Sequence, residues 1–146
     1  MTRSTELIER DRATILFSLN ESYAGPAWHG PSLRESLDGV SARVAASKFS
    51  PSRNSIWDLV LHLAHGRHLL IERITAMPDA TFPRQVREPW WPITPVDVSD
   101  EAWRRDLALL DEYHAKLVDA TRRATPAQFE RVPERSELTV ARQLIG

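Results

Sequence analysis

The chain has no cysteine. That excludes disulfides, thiolate metal ligands and a cysteine nucleophile, so any zinc-like site has to be built from His, Asp or Glu. No apolar run approaches the length of a bilayer span. The N-terminal stretch MTRSTELIERDRATILF is charged throughout and lacks the hydrophobic core of a signal peptide. Neither sign of charge is in excess, since 19 Lys+Arg against 20 Asp+Glu leave a net charge of -1. No global field therefore recruits nucleic acid or an anionic membrane. The basic pairs Arg104-Arg105 and Arg122-Arg123 lie beside acids in helical sequence and read as solvated surface. Convincing strand alternation, an Asn-Gly or Asp-Gly turn set between strand-like runs, a glycine-rich phosphate loop, a G-x-S-x-G elbow and internal repeats are all missing. These absences point to a cytoplasmic helical protein with no nucleic-acid or membrane partner.

What is present is helical periodicity. The 146 residues suit a single domain, 1–146, able to bury a core without cross-links. A first helix spans about residues 4–22, with Leu7, Ile8, Ile15, Leu16 and Leu19 on its inner side. A Pro/Gly loop from Gly25 to Pro31 carries Trp28 and His29. Short helices follow over about 32–37 and 41–47. The second long helix runs to Ile74, opened by Ser55 as N-cap with Asp58 at N3, an aspartate version of the capping box. Ile56, Leu59, Leu63, Leu70 and Ile74 form its expected apolar stripe. Residues 75–98 hold Pro78, Pro83, Pro89, Pro92 and Pro95, which suits an extended crossover pinned by Trp90 and Trp91. The third long helix starts at Ser99, with Asp100 and Glu101 favouring its dipole and Trp103, Leu107, Leu110, His114, Leu117 and Val118 along one side. Thr125-Pro126-Ala127-Gln128 is a second capping box, and a further helix starts at about Thr139.

Histidine is the usual metal ligand and the usual acid–base residue near neutral pH. His62 sits on the shoulder of the expected stripe. By itself it reads as a core-edge histidine hydrogen-bonded to a neighbour. His65 and His68 fall toward the expected polar side and read as exposed. The three do not converge on one ion, although His62 and His65 are spaced for chelation in principle. Gly66, one turn beyond His62, leaves open space on that face. His114 reads as a satisfied core or boundary residue, and His29 as a loop residue with a local role or one at a pocket mouth. The tryptophans read as core and loop anchors.

The ordered set PAWHGPSLRESLDGV, NSIWDLVLHLAHGRHLLIERI, EPWWP with SDEAWRRDLALLDEYHAKLVDA, and LTVARQLIG resembles the DinB-like family, the small helical proteins that include the bacillithiol and mycothiol transferase-type enzymes. The resemblance covers nearly the whole chain. It implies an all-α fold, an up-down-down-up four-helix bundle with the last helix present only as its first turns. It also implies a divalent metal, Zn or Ni, bound by three histidines, of which only His62 maps onto this chain. The other two are expected shortly after the position of Gly146, as an H-x-x-x-H pair. His29, Trp90 and Trp91 are the expected cleft-lining residues. The function implied is a metal-dependent transferase acting on a small molecule, with a low-molecular-weight thiol as cofactor and a metal site incomplete within this chain. A metal that is weakly bound or absent follows, and truncation is the expected reason. The alternative is a diverged, non-catalytic helical module that has lost the metal and pairs as a homodimer.

Overall fold

Small polar residues set the helix starts. Ser32, Ser41 and Thr125 each turn a side-chain oxygen onto a backbone N–H three residues on, and Glu35 and Gln128 reach back to complete two capping boxes. The computed structural model describes residues 3–28, 30–77, 81–87, 90–131 and 138–145, with the side chains of 3–5, 7, 8 and 145 left aside. Leu7, Ile8 and Ile145 therefore lie outside the described side chains. The helices are α1 (Arg3–Ala24), α2 (Leu33–Ser36), α3 (Ala42–Ala46), α4 (Ile56–Thr75), α5 (Asp100–Arg123), α6 (Pro126–Glu130) and α7 (Val140–Ile145). The chain is mostly helical, as the periodicity implies. None of the described helices is long and apolar enough to cross a membrane.

One departure lies in the proline-rich connection. Val86–Arg87 (β1) and Trp91–Pro92 (β2) pair antiparallel, Val86 opposite Pro92 and Arg87 opposite Trp91. The Ile93 N–H donates to the Gln85 carbonyl at 2.8 Å just beyond the ladder. Two residues per strand are too few for alternation to show in a sequence, and a proline without an N–H is tolerated only at such an edge.

The chain divides into two compact units, each assembled from several segments: Met1–Asp38, Leu70–Pro78 and Lys116–Gly146, and Gly39–Leu69 with Asp79–Ala115. In the first unit α1 packs with α2, α6 and α7. Ile15, Tyr23, Leu117, Phe129, Val140 and Leu144 are buried there, and Leu16 and Leu19 are half-buried. The Arg12 guanidinium lies over the Phe129 ring, 5.3 Å from its centroid, and donates to the Arg122 carbonyl.

In the second unit, residues 56–69 of α4 pack on residues 100–115 of α5. Trp57 and Trp103 meet at 5.1 Å between ring centroids, and the Trp103 indole donates to the Val40 carbonyl at 2.8 Å. The buried face of α4 is rotated from the expected one: of Ile56, Leu59, Leu63, Leu70 and Ile74 only Ile74 is buried. Trp57, Val60, Leu61, Ala64, His65 and His68 are buried, whereas Leu59 is 46% exposed and Leu63 only half-buried. The helix carries apolar residues on two sides, so periodicity alone allows either face to be the core. The tryptophan side wins because it buries more surface and its indole N–H finds a partner. His65 and His68 follow it inward, against the expectation that they are exposed.

The start of α4 is as expected: the Asp58 N–H donates to Ser55 Oγ at 3.0 Å, and the Ser55 N–H to Asp58 Oδ2 at 2.8 Å. Ser55→Ala is expected to lower the unfolding free energy by about 1 kcal/mol, read from the urea midpoint at unchanged slope. An unshifted midpoint would show that packing rather than the cap holds this helix start.

Candidate functional site

Three histidines at intervals of three residues spread around α4, and each ring meets a different environment. His65 and His68 turn inward, 7% and 5% exposed. Their rings stack on each other, 6.1 Å between centroids, and Phe82 packs against both, 5.0 Å from His65 and 5.6 Å from His68. Tyr113 of α5 closes the cluster, edge-on to His68 at 5.6 Å and 5.3 Å from Phe82. This is an aromatic box.

His62 is half-buried and lies flat on Trp91, with centroids 4.1 Å apart and planes 16° from parallel. Its Nδ1 is 3.1 Å from the backbone oxygen of Trp90, and the Nδ1 of His65 is 3.4 Å from the same atom. A carbonyl oxygen only accepts, so both Nδ1 atoms carry the proton. In the neutral ring of His62 the lone pair is then on Nε2, which has no hydrogen-bond partner among the described residues. His62, Trp90 and Trp91 thus come together. Trp90 contributes through its backbone, while its side chain is 46% exposed. His29 lies outside the described residues.

The Trp90 carbonyl is held where it is by the two feet of the β1–β2 ladder. On one side Arg84 donates to Asp106 Oδ1 through Nε at 3.1 Å and also through its Nη2. Asp106 is fully buried, and its Oδ2 accepts the Trp57 indole N–H at 2.8 Å. On the other side the Thr94 hydroxyl donates to Asp58. Burial pushes the Asp58 carboxyl up, but hydrogen bonds from Thr94 and Ser55, together with Lys48 at 3.2 Å, outweigh it and hold the carboxyl below its ordinary value. Asp106, Arg84 and Thr94 were not singled out by the sequence reading. The signal for Asp106 was there: a lone acid three residues after Trp103 and four before Leu110, in the middle of an apolar stripe.

One turn beyond His62 the helix surface is open: outside its own helix turn, no described atom lies within 4 Å of where a Cβ on Gly66 would stand. A separate shallow depression of about 490 Å³ is lined by the stretch Thr81 to Val86 and includes none of His62, Trp90 and Trp91. Among the described residues no group of three His, Cys, Asp or Glu side chains is placed to hold a metal ion. The residues present therefore fit one ligand of a site and not the whole of it. Chemically, the arrangement offers one oriented imidazole nitrogen and no nucleophile–base pair.

No protein-family model matches the chain, and neither a curated protein nor a solved structure does.

His114, 8% exposed on α5, has a lowered proton affinity: burial first, then the Arg67 charge, push it down to about 4, against a smaller opposing pull from Asp111. Between that value and the ordinary value of about 6.5, the unfolded chain binds a proton that the folded chain does not. Stability is therefore expected to fall as pH drops from about 6.5 to about 4. Urea midpoints across this window check it: His114→Gln should flatten the slope there, and an unchanged slope would assign the pH dependence to other groups.

Proposed function

We propose that the chain is a DinB-like protein, an up-down-down-up helical bundle of the metal-dependent transferase type, in which His62 is one ligand of a divalent ion such as Zn or Ni. The supporting observation is the Nδ1–H···O=C bond from His62 to Trp90, 3.1 Å long, with Nε2 left unpartnered among the described residues. Metal-ligating histidines almost always donate their second ring N–H to a carbonyl or carboxylate, which fixes the tautomer and aims the ligating nitrogen. Trp91 adds a flat wall that covers one face of the ring and keeps it from turning.

When bound, such an ion lowers the pKa of a coordinated water or thiol and polarises an electrophile. This chain's part in that chemistry is to present one neutral nitrogen and to orient it through the backbone of Trp90. Catalytic zinc sites use three protein ligands, and the two that His62 lacks are not among the described residues. The expected affinity of the chain by itself is therefore weak. A low-molecular-weight thiol such as mycothiol or bacillithiol, a small-molecule electrophile and a cytoplasmic location belong to the same proposal, and rest on the resemblance alone.

One observation favours the second reading, a non-catalytic helical module that pairs as a homodimer. The outer face of α4 leaves Leu59 exposed, with Leu63 half-buried beside open space at Gly66, while no three-ligand cluster forms among the described residues.

Titration with Zn²⁺ or Ni²⁺ by calorimetry separates the two. On the metal reading His62→Ala weakens uptake at least about tenfold, the smallest loss that even outer-shell changes typically cause. Measurable uptake that His62→Ala leaves unchanged would reject His62 as a ligand and leave the module reading.

A further inference from the structure

The β1–β2 ladder is too short to hold its own shape, since an isolated two-stranded hairpin is marginal in water even when it is longer. Two carboxylates grip it from outside. Arg84, two residues before β1, is bound to the fully buried Asp106 on α5. Thr94, two residues after β2, is bound to the N-cap partner Asp58 on α4. Both anchors sit at the open end of the ladder, and at its other end Trp90, the residue before β2, turns its carbonyl to His62 and His65.

Neither carboxylate touches His62, yet both determine where the Trp90 oxygen stands. We infer that Asp106, through Arg84, and Asp58, through Thr94, are positioning residues that fix the proton of His62 on Nδ1 and so keep its Nε2 available as an electron-pair donor. The inference rests on the reading of His62 given above and extends it from one ligand to the frame that aims it. Asp106 suits the role because a buried carboxylate cannot easily exchange its partners for water. Asp58 suits it because its second oxygen is already committed to the Ser55 N–H, which leaves Oδ1 facing Thr94. The two grips hold the two strands at the open end of the ladder, away from the turn that carries Trp90, so loosening either lets the hairpin, and the Trp90 peptide with it, shift from the imidazole.

A free neutral imidazole in water favours the Nε2–H tautomer, so loss of the carbonyl acceptor has a spectroscopic signature. The test is long-range ¹H–¹⁵N correlation on the full chain with labelled histidine, at mildly alkaline pH, with His62 assigned by His62→Gln. Asp106→Asn keeps an acceptor for the Trp57 indole but turns an amide N–H₂ toward Arg84. Thr94→Val removes one hydroxyl and leaves Asp58 with Ser55 and Lys48. Wild-type His62 is expected as the Nδ1–H tautomer, and each variant that keeps its helical circular dichroism is expected to shift it to a mixture with Nε2–H predominant. If Asp106→Asn does not fold, Thr94→Val decides. A folded variant set in which His62 stays fully Nδ1–H would overturn the positioning role while leaving His62 a candidate ligand. A wild-type His62 already in the Nε2–H form would overturn the reading of the ligand itself.

Discussion

The fully buried carboxylate of Asp106 is the constraint on which the second unit depends. Taking a carboxylate out of water costs several kcal/mol even after relaxation, and only close, well-directed donors offset it. Its donors come from two distant stretches of chain, the Trp57 indole from α4 and the Arg84 guanidinium from the segment before β1, and Arg105 of its own helix adds a charge at 3.7 Å, too far to donate. A packing that separates any of these leaves a bare charge in the interior. The carboxylate therefore selects one arrangement of α4, α5 and the ladder rather than adding much to their stability. Trp57 passes the constraint on, since it lies against Trp103, whose own indole holds the Val40 carbonyl just ahead of α3.

The same constraint decides which histidine is left with something to offer. With Arg84 held at Asp106, Phe82, two residues earlier, packs between α4 and Tyr113 of α5, where it covers the stacked rings of His65 and His68. Those two rings become part of the core. His62, on the outer flank, meets only the ladder: a flat indole on one face and a backbone oxygen at one nitrogen. A backbone acceptor cannot be protonated or removed by a side-chain change, so the orientation it imposes is as durable as the ladder that carries it.

Much of the fold could be read directly from local chemistry. Ser55 with Asp58, and Thr125 with Gln128, announce two helix starts because a cap needs only residues three apart. The five prolines of residues 75–98 mark a non-helical crossing for the same local reason. What could not be read is what depends on a distant partner. The periodicity of α4 points inward with Ile56, Leu59, Leu63, Leu70 and Ile74, of which only Ile74 is buried, because a helix with apolar residues on two sides gives periodicity no preference. The choice was made by Trp57 meeting Trp103 and Asp106 across nearly fifty positions of chain. His65 and His68 were misplaced by the same ambiguity. Arg84 and Thr94 gave no signal at all, since an arginine beside a proline and a threonine in a loop are unremarkable until their carboxylates are found.

Gly66 carries the argument one step further. A glycine inside a helix costs about 1 kcal/mol relative to alanine, and it is usually accounted for by a close neighbour or a left-handed backbone. Neither applies here: beyond its own helix turn a Cβ at Gly66 would meet no described atom within 4 Å, and its φ is not among the positive ones. The packing beneath α4 thus gives no reason for the residue. It lies one turn beyond His62 on the half-covered flank of the helix. An alanine there is compatible with everything the described chain places around it, so packing within the described chain does not require the glycine.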